Sequence, residues 1–121
     1  MRDFARLFKA LSDETRIRIV KILLERECCV CEVMQGLEIS QSKASRGLSA
    51  LCVAGFLRMR KEGLWSLYSI DREGMKGYQS RLVEAVQEVL KDKNIVALDK
   101  ERLRKAERVG PSCVGKVCKS G

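Results

Sequence analysis

Three cysteines crowd into four consecutive positions of the stretch "RECCVCEVM": Cys28, Cys29 and Cys31. The chain has six cysteines and no histidine, so an ion held here is held by sulfur. Thiolates are soft ligands that suit soft ions. They are equally the groups that oxidants and sulfur species convert. On a regular helix Cys28 and Cys31, three apart, are neighbours, whereas Cys29 and Cys31 point roughly 200° from each other. A small ion therefore cannot gather all three sulfurs on a regular helix, and capture is expected to unwind its start. A second source of thiolate is the tail "GPSCVGKVCKSG", with Cys113 and Cys118. Cys52, beside Leu48 and Leu51, reads as a small core hydrophobe.

The 121-residue length fits one domain, and 45% hydrophobic with 33% charged residues is a globular composition. Charges interrupt the apolar residues of "MRDFARLFKALSDETR", which excludes a secretory signal, and no apolar run reaches membrane-spanning length. The expectation is a cytoplasmic protein without membrane contact, its thiols reduced. The absence of histidine argues against zinc or nickel sensing through imidazoles. It also removes the commonest general base, so a thiol enzyme is not expected despite the formal Cys-x-x-Cys spacing of Cys28 and Cys31. A net charge of +8 attracts polyanions, nucleic acid above all.

The elements that must position these groups follow from periodicity. Phe4, Leu7, Phe8 and Leu11 mark a first amphipathic helix. Ser12 is placed to cap a second, running through "ETRIRIVKILLE" with Ile17, Val20 and Leu24 inward. A short third helix over "CVCEVMQGL" should end at Gly36, and Ser40 should cap a fourth that Gly55 closes. Ala44, Leu48, Leu51 and Cys52 form the inner stripe of that fourth helix. Gln41, Ser42, Lys43, Ser45, Arg46 and Ser49 form an outer face that is small, polar and basic. Runs 57–60 and 64–70 around "KEG" predict a hairpin. A fifth helix over 76–93 carries Tyr78, Leu82, Val86, Val89 and Leu90. The division is a domain over 1–94 and a charged C-terminal extension, with its cysteine-containing tail, over 95–121.

The fold class is mainly α with a β-hairpin wing, in the order of a winged helix-turn-helix. In that arrangement the fourth helix enters the major groove of double-stranded DNA. Gln41 suits adenine, and Lys43 and Arg46 suit guanine or phosphate. Arg58, Arg60 and Lys61 on the hairpin would supply salt-dependent phosphate contacts. No cofactor is required for DNA binding.

Over about residues 4–92 the chain resembles the ArsR/SmtB family of metal-responsive repressors. The resemblance is carried by "LFKALSDETRIRIVKILLE", "CVCEVMQGLEISQSKASRGLSALCVAGFLRMRKEG" and "LWSLYSI". It implies a homodimer joined through the first and fifth helices, an inverted-repeat operator, and release of DNA when an inducer binds. "CVCEV" is similar to the Cys-Val-Cys motif of the arsenite-responsive branch, so the implied inducer is As(III) or Sb(III). Sensing of thiol oxidation, sulfur species, cadmium or lead is the alternative. Two positions depart from the family pattern: Met34 stands where a third cysteine is usual, and Gly47 where histidine is common. The third thiolate must then come from Cys28, or else from Cys113 or Cys118.

Overall fold

The computed structural model describes residues 1–108; Cys113 and Cys118 lie outside them. The described elements are α1 (Arg2–Ala10), α2 (Glu14–Leu23), α3 (Val30–Leu37), α4 (Gln41–Val53), β1 (Leu57–Glu62), β2 (Trp65–Ile70), α5 (Gly77–Leu90) and α6 (Asn94–Lys105). Helices pack around one core in which Ile19, Ile22, Val33, Leu37, Leu48, Leu51 and Phe56 lose essentially all contact with solvent. The order of elements is that of a winged helix-turn-helix, as the sequence pattern predicts.

Several boundaries shift for local physical reasons. Asp13, not Ser12, caps α2: its carboxylate accepts the Thr15 amide at 3.0 Å. A formal charge suits the positive end of a helix better than a hydroxyl. Ser12 instead donates to Lys9 O at 2.7 Å, closing α1. Gly36 does not end α3. It is buried within the helix, and a Cβ there would lie 3.5 Å from Leu103 of α6, so the glycine permits that close approach. The left-handed terminating residue is Glu38, at φ 57°.

Ser40 caps α4 as expected, accepting the Lys43 amide at 3.1 Å, and Gly55 closes it at φ 90°. In the antiparallel hairpin Glu62 faces Trp65. The connection is therefore Gly63–Leu64, one step beyond "KEG", with Gly63 at φ 62° in the glycine-first pattern of a two-residue turn. Helix α5 is shorter than the expected span of 76–93, ending at Leu90, and contains the whole apolar stripe.

The charged stretch after residue 94 forms a helix that docks. Asp99 of α6 is 1% exposed, and such a carboxylate needs paired donors. Arg18 of α2 supplies two, Nε at 2.9 Å and Nη2 at 2.7 Å, and Arg102 a third at 2.8 Å. The same arginines reach the last carbonyls of α3: Arg18 donates to Leu37 O at 3.1 Å and Arg102 to Gly36 O at 2.9 Å. Groups that a helix end leaves orphaned are thus satisfied by side chains, and α2, α3 and α6 are fastened at one point.

Replacing Asp99 by Asn keeps the shape and removes the charge that two arginines face. Breaking a buried pair this way is expected to cost about 3 kcal/mol, read as a lower urea midpoint with an unchanged slope. A midpoint equal to wild type would show that the pair does not hold α6 in place.

Candidate thiol site and nucleic-acid interface

The segment before α3 is not helical where its cysteines begin. Cys28 pairs with Tyr68 of β2 as an isolated antiparallel bridge: the Cys28 amide donates to Tyr68 O at 3.0 Å and the Tyr68 amide to Cys28 O at 2.8 Å. Cys29 is the N-cap, extended at φ −87° and ψ 173°. Because Cys29 lies outside the helix and Cys31 on its first turn, the divergence expected of a regular helix does not apply. Their sulfurs stand 3.0 Å apart, and no unwinding is needed to bring them together.

The three cysteines divide between two environments. Cys28 is fully buried in the main core, its sulfur 3.5 Å from Arg26 O. Cys29 and Cys31, also fully buried, form a second cluster with Leu67, against which Met34 and Trp65 pack. Burial pushes the Cys28 thiol up to about 12, Arg26 opposing it only in part. Burial also raises Cys29, opposed by backbone hydrogen bonding. Cys52 is half-buried against the core with a raised pKa, again from burial. Cys28 and Cys52 are free thiols.

Glu32 organises this site. Its Oε1 accepts the Cys29 amide at 2.9 Å, and its Oε2 accepts Arg26 Nη1 at 2.7 Å. Arg108 adds a contact at 3.3 Å and lays its guanidinium 5.3 Å from the centre of the Trp65 ring. Burial pushes the Glu32 carboxyl up, but the Cys29 amide and the two arginines outweigh it and hold it below the usual carboxylate range. Arg26 also donates to Leu103 O at 3.1 Å, and Gln35 exchanges hydrogen bonds with the backbone of Glu107 at 2.6 and 3.1 Å. Sequence reasoning missed Glu32, Arg26 and Arg108, although Glu32 at the third position after the cap was a visible signal.

Among the described residues, no three His, Cys, Asp or Glu side chains converge on one point that could hold a metal ion. What converges is the sulfur pair of Cys29 and Cys31. Thiolate sulfur suits soft ions rather than hard cations.

The residues that the sequence pattern assigns to DNA sit on α4 and the hairpin. Ser42, Lys43, Arg46 and Ser49 are exposed on α4, while Gln41 donates to Ser45 Oγ at 2.7 Å, which orders its amide. Gly47 is buried: a Cβ there would lie 2.6 Å from Ile19 Cδ1, so the glycine lets α2 pack close behind α4. On the wing, Arg58 is exposed and Lys61 donates to Ser66 at 2.9 Å. Arg60 is held by Glu27 through two bonds of 2.7 and 2.8 Å.

Residues 13–58 match the model of the bacterial regulatory protein, arsR family. The arsenic resistance transcriptional regulator ArsR1 of Pseudomonas putida is 38% identical over 102 residues, covering 84% of this chain and 76% of that one. The chain belongs to the ArsR family. ArsR-family proteins are transcriptional regulators, not enzymes, and bind DNA through a winged helix-turn-helix. A second ArsR relative, the cadmium resistance transcriptional regulatory protein CadC homolog of Staphylococcus aureus, is 47% identical over 75 residues, covering 61% of this chain. The match spans 62% of that relative's length. Among solved structures, a homodimeric winged helix-turn-helix DNA-binding domain from Mycobacterium bovis, a possible ArsR-family regulator, superposes with TM-score 0.63 at 28% identity, covering 77% of this chain and 82% of that one. No described helix of this ArsR-family chain is long and apolar enough to cross a membrane.

Glu32→Gln keeps the hydrogen-bonding shape but withdraws the charge from Arg26, Arg108 and the Cys29 amide. It is expected to cost about 2 kcal/mol at neutral pH, seen as a lower urea midpoint. The depressed carboxyl contributes stability above its ordinary value of 4.5 and loses it as pH falls through the folded value. The variant should therefore show a flatter stability profile below pH 4.5 than wild type, and parallel profiles would refute the assignment.

Proposed function

We propose that this chain is a repressor. As a homodimer it binds an inverted-repeat operator, and it is released when thiolates capture trivalent arsenic or antimony. The observation that carries this reading is the approach of Cys29 and Cys31 sulfurs to 3.0 Å in a buried pocket beside the wing. Each thiol proton leaves with a hydroxide of the arsenous acid as water, forming one As–S bond, so three thiols release three waters. Trivalent arsenic takes three sulfurs in a pyramid, and a third thiolate is required.

The third thiolate comes from Cys28, Cys113 or Cys118, and the tail is favoured. Cys28 would have to leave both its bridge to Tyr68 and the main core. Arg108, by contrast, already stands over Trp65, which packs against the cluster of Cys29 and Cys31. Cys113 follows it by five residues, a reach of about 17 Å when extended.

The homodimer reading is supported by apolar surface on α1 and α5. Phe4, Phe8 and Val89 are 46%, 49% and 66% exposed. Phe4 packs edge-on against Tyr78 at 5.9 Å, joining the two helices into one surface. Beside it an apolar groove of about 250 Å³ is lined by Leu11, Ile17, Leu82, Ala85, Val86, Val89 and Leu90. The Mycobacterium bovis neighbour is described as homodimeric. DNA contact is assigned to Gln41, Ser42, Lys43, Ser45, Arg46 and Ser49 of α4, with Arg58, Arg60 and Lys61 of the wing. The chain would work in the cytoplasm, where these thiols stay reduced.

A second reading keeps the repressor and changes the inducer. The 3.0 Å approach of the Cys29 and Cys31 sulfurs also suits thiol oxidation, and the cadmium-named relative favours a divalent soft metal. Gel shifts titrated with arsenite, antimonite, cadmium, lead or peroxide, each against a reduced control, separate them. Arsenite is expected to weaken operator binding about 100-fold, some 2.8 kcal/mol of coupling. Cys29→Ser and Cys31→Ser should abolish this release, and Cys31→Ser that still responds would sink the site. Loss in Cys113→Ser or Cys118→Ser with retention in Cys28→Ser would give the third ligand to the tail.

A further inference from the structure

The thiol segment is built into the wing. Cys28 adds a bridge to β2 at Tyr68, with amide bonds of 3.0 and 2.8 Å in both directions. Cys29 and Cys31 pack on Leu67 and Trp65 of the same strand. Leu67 is the cross-strand partner of Arg60, so the arginine stands on the face of the hairpin that meets the sulfurs. Arg60, 49% exposed, already has its Nε and Nη2 engaged: Glu27, one residue before Cys28, grips them through Oε1 and Oε2 at 2.7 and 2.8 Å, and Glu62 adds a contact at 3.1 Å. The guanidinium's fork, which would match a phosphate, is occupied by a carboxylate of the sensing segment.

The other route from the sulfurs to DNA, through the turn between α3 and α4, is clamped. Arg18 and Arg102 hold the carbonyls of Leu37 and Gly36 and are themselves pinned on Asp99. The contacts of Cys29 and Cys31 themselves run to the hairpin, through Leu67 and Trp65.

We infer that Glu27 is a positioning residue that decides whether the wing's Arg60 can reach a DNA phosphate, so that the thiol segment acts on the operator through the wing. In the free chain Glu27 holds Arg60 back, and on DNA it competes with the phosphate, so the wild type makes this contact only part of the time. Capture of an ion at Cys29 and Cys31 locks the segment against β2 and keeps Glu27 on Arg60, which denies each protomer one phosphate contact. The inference deepens the proposed induction by a soft ion and rests on it for the second half only. The competition between Glu27 and phosphate for Arg60 needs no inducer.

The test uses the full reduced chain and an operator fragment selected with wild type. Binding is measured across salt, with and without arsenite, for wild type, Glu27→Gln, Glu27→Asp, Arg60→Gln and the double variant Glu27→Gln/Arg60→Gln. Glu27→Gln should bind about five times more tightly and steepen the dependence of log Kobs on log salt by up to about 0.9 per protomer. Its release by arsenite should shrink from about 100-fold to about 10-fold. Glu27→Asp, which keeps the charge, should hold the wild-type slope, and in the Arg60→Gln background Glu27→Gln should change nothing. A slope and release in Glu27→Gln equal to wild type would overturn the inference, as would the same changes persisting without Arg60. If arsenite fails to release wild type while the slopes move as expected, the inducer reading falls and the role of Glu27 stands. If wild type is released and the slopes do not move, only the role of Glu27 falls.

Discussion

A carboxylate buried beside two sulfurs has to be surrounded by donors, and much of this structure is arranged to do that for Glu32. Its side chain is 5% exposed, and it faces Arg26 from the loop, Arg108 from beyond α6 and the amide of Cys29. An ionised group so far from water is costly unless each oxygen is paired. The pairing fixes the backbone of Cys29 as the start of α3 and brings the end of the described chain to the same place. The sulfur pair, the first turn of α3 and the strap after α6 are positioned by one anion.

The second buried carboxylate, Asp99, does the same work at the far end of α3. It gathers Arg18 and Arg102, which in turn satisfy the terminal carbonyls of that helix. Helix α3 is thus tied at both ends by ion pairs that reach α6. The turn leading to α4 is held by side chains of both α2 and α6. The wing is joined to the cysteine segment by a two-bond bridge, the packing of Leu67 and Trp65, and one arginine–carboxylate pair.

Much of the fold was legible in the residues. The inner stripe of α4, the Ser40 cap and the hairpin all follow from short-range chemistry, since periodicity and capping act within a few residues. The boundaries that moved did so where a tertiary partner intervened. Gly36 reads as a helix stop by itself but serves as a contact point once Leu103 is placed against it. Gly47, which reads as a weak point in a helix, accommodates Ile19. The charged run over 95–105 reads as solvated until Arg18, 81 residues from Asp99, supplies a partner for its buried carboxylate.

The sequence by itself determined that the chemistry here is sulfur chemistry, in a family of DNA-binding regulators, next to a helix with a small basic face. It could do so because residue type and spacing decide what a side chain is able to ligate or read. Only the tertiary structure decided which cysteines meet. Helical geometry pairs Cys28 with Cys31, yet a β-bridge to Tyr68 pulls Cys28 into the core and Glu32 fixes Cys29 outside the helix, so Cys29 and Cys31 converge instead. Those hydrogen bonds join residues about 40 positions apart or depend on the burial of a charge, and no local pattern contains them.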